Sequence, residues 1–427
     1  MAKVQRIPVG RKQGQRRIEL PETVEVRLAE LAGSFRQGLM AFAVGVGLQV
    51  VDAILNEDVT AIAGPKGKHD HSRAAYRHGS QSSSLPLGGR RVAFGRPRLR
   101  TPDGREIPLS SWEALQAADQ LGEIAFTRML AGVSTRDYAP ALEPIGGVES
   151  FGASRSAVSR RFAAKAAAAL QEICNRDLSE LKICALFGDG IEEGDHTIVA
   201  IVGVDLAGTK HLLGIREGST ENKAVCAALL SNLLERGLDV SGGVLCVIDG
   251  GKGLRSAIKS VLGSSTPVQR CRLHKERNIK DHLPDHVWPQ VRGRMRKAWA
   301  MTDPDKALRE LQALARWLED RHPGAAASLR EGMEETLTIT KLGVPPRLAK
   351  TMFSTNIIES AISVARTVTH NVKRWRNGKM IERWYAVGLQ HAARKFRKVK
   401  GYKEIPILVA ALAKHHGIVS QEDARVA

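Results

Sequence analysis

Aromatic residues are scarce in this chain of 427 residues, where Phe, Trp and Tyr together make up 4%. Long hydrophobic runs are missing as well, since no uninterrupted apolar stretch reaches the roughly 18 residues of a membrane-spanning helix. The first residues, MAKVQRIPVGRKQGQRR, lack the apolar centre of a secretory signal peptide. These absences predict a cytoplasmic protein that does not enter a membrane, while 43% hydrophobic residues argue against disorder throughout.

Cysteine is also rare. The chain has an odd number of cysteines, which are widely spaced and form no CxxC pair. They are Cys174, Cys184, Cys226, Cys246 and Cys271. This pattern argues against a disulfide framework and against a four-cysteine zinc site. Cys271 precedes His274 with the spacing of half a metal site, but no obvious second half follows at a compatible distance.

Acidic residues are outnumbered, because 45 Asp and Glu face 64 Lys and Arg, which gives a net charge of +19. Residues 1–110 contain 18 basic and 10 acidic side chains, and residues 360–427 contain 14 and 4. The middle of the chain is therefore nearly neutral. Basic charge clustered at both ends indicates an anionic partner, most commonly nucleic acid, whereas the alternative is a set of solvated helix faces.

The periodicity of apolar residues divides the chain into six segments. A helix is predicted over 22–55, and the glycine pair at 88–89 between short alternating runs predicts a basic β-ribbon, with a flexible linker as the alternative. The segments are a basic leader with N-terminal helices at 1–63, the ribbon or linker at 64–118, a helical segment at 119–180, a strand-rich segment at 181–284, an all-helical segment at 285–345, and a C-terminal segment with a capped helix and basic residues at 346–427.

Two helix starts between residues 119 and 180 have the character of a helix-turn-helix DNA-binding unit. One is predicted to open at Ser134, and a second, longer helix at Ser154. The first turn of that second helix would present Arg155 and Arg160 to DNA. Ordinary capping followed by an alanine-rich packing helix explains the same residues equally well.

Residues 181–279 give the pattern strand, strand, strand, helix, strand, helix, strand, which predicts a mixed sheet with helices packed against it. Asp189 and Asp249 each end a hydrophobic strand and precede a glycine, so both carboxylates are expected where such sheets bind ligands. The chain has no GxxxxGK[ST] loop, which argues against a nucleotide triphosphatase of the P-loop type. Two neighbouring carboxylates repel each other unless a cation lies between them, and Mg²⁺ is the natural candidate.

A third carboxylate would complete a site in which two ions about 4 Å apart activate a water and stabilise the leaving oxygen of a phosphodiester. Glu359 is the candidate. Ser363, Arg366 and His370 share its helix face, which indicates a polar site beside that helix. The alternative is structural, with Asn356 as the helix cap and Glu359 as the glutamate of a capping box.

Four ordered motifs extend these observations: the strand ending in Asp189, VIDGGKGLRSAI around Asp249, QRCRLHKERN from Gln269, and STNIIES around Glu359. Together with the flanks RVAFGRPRLR, NVKRWRNG and RKVKGYKEIP, they resemble the bacterial insertion-sequence transposases of the Mutator type over nearly the whole chain. The resemblance implies an α/β ribonuclease-H-like catalytic core with an all-helical insertion, and a mainly helical N-terminal DNA-binding region. It also implies a catalytic triad formed by Asp189, Asp249 and Glu359.

The resemblance includes Cys271 and His274, which are either a zinc half-site or a pair that supports the structure or orients the active site. His274 and Arg277 are candidates for contact with a phosphate near the metals. Further candidates for DNA binding or support of the site are Arg366, Lys373, Arg374 and Arg376.

The resemblance further implies a DNA transposase that binds the terminal inverted repeats of its own element, cleaves a phosphodiester at the element end and transfers the released 3′-hydroxyl to target DNA. Two Mg²⁺ ions, with Mn²⁺ as a substitute, are the expected cofactors. A homodimer on double-stranded DNA is expected, because two ends must meet. Two alternatives remain open: a structure-selective nuclease on the same fold, and a basic DNA-binding regulator whose carboxylates are structural.

Overall fold

The computed structural model describes residues 38–67, 73–117, 120–145, 148–218 and 222–417. Contacts divide the chain into two compact units, Met1–Phe162 and Ala163–Ala427. The basic leader and the first part of the helix predicted over 22–55 lie outside the described residues.

The first unit contains a long β-hairpin. Strands β1 (Tyr76–Leu87) and β2 (Arg90–Arg100) pair in antiparallel fashion. The turn between them is formed by the glycine pair at 88–89, and both glycines have a positive φ, which suits the tight turn of a hairpin. The basic β-ribbon predicted from this pair is therefore confirmed, and the flexible linker is not observed at these residues.

Helix α1 (Leu39–Ala63) precedes the hairpin and runs past residue 55, because Leu55, Val59 and Ala63 continue its apolar stripe into the core of this unit. By length and composition alone the helix is apolar enough to cross a membrane, although a core helix of a soluble protein passes the same test. The expectation that the protein does not enter a membrane therefore stays a prediction. Counting only uninterrupted apolar residues missed the helix, since Gln49 and Asp52 interrupt the run.

Short elements complete the first unit: β3 (Glu106–Ile107) and β4 (Ser150–Phe151), which both pair with β2, and the helices α2 (Ser110–Ala117) and α3 (Gln120–Leu130).

The prediction of a helix that opens at Ser134 is wrong, because residues 131–142 form turns. The Ser134 hydroxyl accepts a hydrogen bond from the backbone N–H of Asp137 at 3.2 Å, as a cap would. Pro140 lies inside this segment, and proline inside a helix removes a backbone donor.

The second predicted helix start is observed as α4 (Arg155–Asn175), and Ser154 stands directly before it. The helix extends across the boundary between the two units. Because its partner helix at Ser134 is not formed, the helix-turn-helix pattern of residues 119–180 is reduced to α3, a run of turns, β4 and α4.

The second unit contains a five-stranded sheet whose elements follow in the predicted order: β5 (Ile183–Glu193), β6 (His196–Asp205), β7 (Lys210–Gly218), α5 (Lys223–Glu235), β8 (Leu245–Ile248), α6 (Lys252–Val261) and β9 (Val268–Arg270). In space the strands are arranged β7-β6-β5-β8-β9. The first three pair in antiparallel fashion, whereas β8 and β9 run parallel to β5. The predicted mixed sheet is confirmed.

Helices cover both faces of this sheet. Along β6, Ile198, Ala200 and Val202 point into one apolar core, and Val199 and Ile201 point into the other. This alternation is the period of a strand whose two faces are both buried. The core around Val199 is closed by α5 and α6, and the core around Ala200 is closed by helices from the C-terminal part of the chain.

Residues 271–353 contain only helical elements: α7 (Arg272–Lys280), α8 (Trp288–Trp299), α9 (Pro304–Glu319), α10 (Pro323–Arg330), a 3₁₀ turn (Glu334–Leu337), α11 (Thr338–Lys341) and α12 (Pro346–Met352). They enclose a core of their own that includes Met295, Leu311, Leu318 and Leu329. The helical pattern predicted between 286 and 345 is confirmed.

Three further helices follow, α13 (Asn356–Thr369), α14 (Gly378–Ala393) and α15 (Ile405–His415). All three pack on the sheet. Helices α13 and α14 approach closely, because a Cβ atom at Gly388 would lie 2.6 Å from Cα of Ala365. The close crossing fixes α13, which carries Glu359, against the sheet.

Candidate active site

Two aspartates lie at the point where β5 and β8 pair. In the parallel pairing of these strands Gly188 lies opposite Ile248. Asp189 and Asp249 are the residues that directly follow these two in the sequence. Asp249 follows the last residue of β8, as predicted. Gly250 then turns the backbone with a φ of 113°, where a side chain would overlap the guanidinium group of Arg270.

Asp189 differs from its prediction, because β5 does not end there. The strand continues to Glu193 as the partner of β6, with Asp189 opposite Ala200. Gly190 is a strand residue whose backbone N–H donates to Asp189 Oδ1 at 3.1 Å. Strand β5 continues past Asp189 because it still pairs with β6 there, whereas β8, its neighbour on the other side, ends at Ile248. Asp189 therefore lies within its own strand but beside the end of the neighbouring one.

Burial and neighbouring charges disfavour the ionised form of Asp189. The residue is 5% exposed. Burial, followed by the negative charge of Asp249 and, more weakly, that of Glu359, raises its pKa to about 7, against the opposing effect of His274. The charges of Asp249 and Glu359 therefore both act on Asp189, so the structure brings the three predicted carboxylates close to one another.

Glu359 lies in the first turn of α13, and the residue before that helix binds its carboxylate. Thr355 is the N-cap residue, and Thr355 Oγ1 donates to Glu359 Oε1 at 2.8 Å. Asn356 is the first helical residue and is exposed. The capping box between Asn356 and Glu359 is therefore wrong, because the helix begins one residue earlier than it requires and the carboxylate turns to the Thr355 side chain.

Cys271 and His274 lie against Thr355. The Cys271 side chain is fully buried, and its Sγ accepts hydrogen bonds from the backbone N–H groups of His274, at 3.5 Å, and Thr355, at 3.4 Å. The Thr355 hydroxyl is 3.4 Å from Cys271 Sγ and 3.3 Å from His274 Nδ1. His274 Nδ1 is in turn 3.7 Å from Glu359 Oε1.

These contacts change the protonation of both residues. Burial, the largest effect, raises the pKa of Cys271, but hydrogen bonds from His274 and Thr355 outweigh it and lower that pKa. The hydrogen bond with Cys271 raises the pKa of His274 to about 9, against the effect of burial and with the help of the Asp189 and Glu359 charges. At neutral pH His274 is therefore a cation between a sulfur and two carboxylates.

Cys271, His274 and Glu359 bring three ligand-type atoms within 4.8 Å of one another. The sequence offered no second half for the Cys271 and His274 pair, because the third group comes from a different helix. Thr355 was not among the predicted site residues. Its position directly before the helix, inside the motif STNIIES, was the signal that could have identified it.

The other predicted residues are exposed. Arg277 Nη2 lies 3.5 Å from Glu359 Oε2, so the structure brings this guanidinium to the site. Arg366 lies on the Glu359 face of α13, and Ser363 and His370 on that face are also exposed. Exposed residues between α13 and α14 are Lys373, Arg374 and Arg376, and exposed residues in the first turns of α4 are Arg155 and Arg160.

Two other basic residues of QRCRLHKERN are structural. Arg272 donates to the carbonyls of Thr336, at 2.9 Å, and Trp299, at 3.2 Å. Lys275 is fully buried and donates to the carbonyl of Glu331 at 2.5 Å. Burial lowers the pKa of Arg272 to about 10 and the pKa of Lys275 to about 8. These bonds fix α7, and with it Cys271 and His274, to the helical segment.

The family model described as "Transposase, Mutator family" matches residues 35–398, a range that includes the three carboxylates. The chain is 27% identical over 363 residues to "Transposase for insertion sequence element ISRM5" of Rhizobium meliloti. The aligned region covers 83% of this chain and 88% of that protein.

Two further relatives are similar over most of their length. One is "Transposase for insertion sequence element IS1081" of Mycobacterium tuberculosis, 25% identical over 351 residues, with 79% of this chain and 80% of that protein covered. The other is "Transposase for insertion sequence element IS406" of Burkholderia multivorans, 28% identical over 277 residues, with 63% and 69% covered. Because the family model spans well over half of the sequence, the chain belongs to the Mutator family of transposases.

Proposed function

We propose that this protein is the DNA transposase of an insertion sequence, and that it binds the terminal inverted repeats of its element, cleaves a DNA strand at the element end and transfers that end to target DNA. Membership of the Mutator family supports a DNA-cutting and rejoining enzyme. The observation that carries the proposal is the convergence of Asp189, Asp249 and Glu359, with the charge of the other two acting on Asp189. The catalytic core is proposed to be of the ribonuclease-H-like type, with residues 271–353 as its helical insertion.

Asp189, Asp249 and Glu359 would hold two Mg²⁺ ions, or Mn²⁺ in their place. The donor set fits these ions, because carboxylate oxygens are the ligands that hard divalent cations prefer. Burial, and after it the repulsion from Asp249 and Glu359, raises the pKa of Asp189, and a bound cation would relieve that repulsion. When bound, such ions activate a water or hydroxyl for attack on a phosphodiester and stabilise the leaving oxygen.

The neighbouring side chains orient Glu359. The Thr355 hydroxyl has one proton and donates it to Glu359 Oε1, its shortest contact, while Cys271 Sγ accepts the Thr355 backbone N–H. Cys271 is therefore proposed to orient the site rather than to form half of a zinc site. Protonated His274 and exposed Arg277 place two positive charges beside Glu359, where they would contact the phosphate that is cut.

Exposed basic side chains are proposed to bind the DNA backbone. Lys373, Arg374 and Arg376 lie between α13 and α14 on the same unit as the carboxylates. Arg155 and Arg160 would contribute from α4. A homodimer on DNA is proposed because two element ends must be joined, and a cytoplasmic location because the substrate is bacterial DNA.

The test uses the full chain, Mg²⁺ and a labelled duplex carrying one element end. We expect the wild type to yield both a cleaved strand and a strand joined to target DNA. Asp249→Asn should abolish both products and leave duplex binding intact. The matched control is Asp285→Asn, since the Asp285 side chain is 97% exposed, and it should cleave like the wild type.

Other results would reject parts of the proposal. Cleavage by the wild type without any joined product would identify a nuclease. Duplex binding without cleavage in the presence of any divalent cation would identify a DNA-binding regulator. Undiminished cleavage by Asp249→Asn would remove this residue from the site.

A further inference from the structure

A basic cleft opens beside Glu359 in the second unit. Its volume is about 730 Å³, and its walls come from the start of β7, from α12 and α13, and from the end of α14 and the segment after it. Five cations line the cleft, and Glu359 is its single acidic residue among those that the structure describes. The cations are Lys210, Lys350, Lys395, Arg397 and Lys400.

The cations of the cleft are available to a ligand. Lys350, Lys395, Arg397 and Lys400 are exposed, and none of them forms an ion pair with a carboxylate in the described part of the chain. Lys210 is partly buried, and its ammonium lies 5.6 Å from the ring centroid of Phe396, another wall residue. Unpaired positive charges that face one another across a cleft repel, so an anion in the cleft would relieve the repulsion.

A hydroxyl in the wall also lacks a partner. Ser354 is 1% exposed and lines the cleft, and its Oγ has no hydrogen-bond partner among the described residues. Buried polar groups in folded proteins are normally hydrogen-bonded. A phosphate oxygen could accept this proton, as it could bind the neighbouring ammonium groups.

The dimensions of the cleft select the form of the ligand. Clefts of about 300–1,000 Å³ enclose a drug-sized molecule, which corresponds to a short piece of one DNA strand rather than to a duplex. Half-buried Phe396, together with Ile357 and Val364, adds an apolar surface to the basic walls. A basic groove combined with an aromatic side chain is the usual arrangement for binding a single strand.

We propose that this cleft binds the phosphate backbone of one unpaired DNA strand that leads to Glu359. The proposal rests on the transposase function proposed above and adds to it that the DNA is unpaired beside the cut. Because Glu359 lines the cleft, a strand bound there lies beside the carboxylate of Glu359 and approaches the other two carboxylates along α13.

The test measures binding of a short fluorescein-labelled oligothymidylate to the full chain by anisotropy, over a range of salt concentrations. The variant Lys350→Ala, Lys395→Ala, Arg397→Ala removes three cations of the cleft. We expect about tenfold weaker binding and a salt slope smaller by about 2, since each lost phosphate contact with a single strand removes about 0.7 from that slope.

The matched control is Lys297→Ala, Arg309→Ala, Arg316→Ala, which removes three exposed cations from α8 and α9 of the same unit. It should bind the oligothymidylate within about twofold of the wild type. If the triple cleft variant fails to fold, Lys395→Glu alone serves as the second variant, and it should weaken binding of the oligothymidylate but not of a blunt duplex.

Equal binding by the cleft variant and the wild type would overturn the proposal, and so would an equal loss of duplex and single-strand binding. Cleavage of element ends by the wild type is measured in parallel. If the wild type cleaves while the cleft variant binds the oligothymidylate normally, the cleft proposal alone fails. If the wild type does not cleave, the transposase function fails, and the anisotropy still reports on the cleft.

Discussion

The Thr355 hydroxyl is the shortest hydrogen-bond partner of Glu359, at 2.8 Å, and it also contacts His274. Thr355→Val keeps the side-chain shape and removes the hydroxyl, so we expect Mg²⁺-dependent cleavage to fall about 10- to 100-fold, as is typical when a partner of a metal ligand is lost. Thr355→Ser should retain most of the activity.

The measurement is the cleavage rate as a function of Mg²⁺ concentration. The half-saturating concentration should rise in Thr355→Val, which a purely structural defect would not cause. An unchanged Mg²⁺ dependence would show that Thr355 does not orient Glu359.

The ionisation of Asp189 predicts a dependence of stability on pH in the absence of divalent cations. Its pKa is raised to about 7 in the folded chain, against about 3.9 when unfolded, so the folded state binds the extra proton between these values. The free energy of unfolding should therefore fall as pH rises from about 4 to 7. Asp189→Asn removes this loss and should raise the melting temperature at pH 8 by several degrees.

Thermal melts in a chelator at pH 5 and pH 8 measure the effect. The difference in melting temperature between Asp189→Asn and the wild type should be small at the lower pH and larger at the higher pH. A variant that melts below the wild type at pH 8 would contradict the assigned cause.

At the scale of elements, the crossing of α13 and α14 determines where Glu359 lies. A Cβ atom at Gly388 would come within 2.8 Å of Ala365 Cβ, so Gly388→Ala forces the helices apart. We expect a loss of about 1–3 kcal/mol in the free energy of unfolding, typical of an overpacked core. Gly293→Ala in α8 is the matched control, since nothing lies within 4 Å of its Cβ position.

Chemical denaturation measures both variants. The control should gain up to about 1 kcal/mol, because alanine favours a helix over glycine. Equal stability of the two variants would show that α13 and α14 tolerate a wider crossing.

At the scale of the whole molecule, the charge distribution predicts how DNA binding responds to salt. The variant Lys373→Ala, Arg374→Ala, Arg376→Ala should bind duplex element ends more weakly. Its salt slope should be smaller by about 2 to 3, since each phosphate contact with duplex DNA contributes about 0.9. Asp249→Asn should keep the wild-type slope. A slope unchanged in the triple variant would place the duplex elsewhere on the protein.

The sequence determined much of the second unit. The order of strands and helices from β5 to β9 was predicted because each element has its own apolar period and its own turn residues, which are local properties. The β-ribbon followed from two glycines for the same reason. The site residues Asp249 and Glu359 were predicted from the end of an apolar strand and the start of a helix, both of which the structure retains.

Local patterns failed where a neighbour in space decided the outcome. Strand β5 continues past Asp189 because β6 pairs with it. Thr355 replaces Asn356 as the cap, and its side chain turns to Glu359 and Cys271. The cleft combines Lys210 and Lys350, from the nearly neutral middle of the chain, with Lys395, Arg397 and Lys400 from its basic end.

The sequence by itself thus determined most of the elements and which carboxylates are available, and it predicted an anionic partner, because composition and periodicity act over a few residues at a time. Only the tertiary structure decided that Cys271, His274, Thr355 and Glu359 meet, and that five separated cations line one cleft beside them. The physical reason is that hydrogen bonds and charge interactions act over a few ångströms of space, whereas these residues are separated by up to 190 positions along the chain.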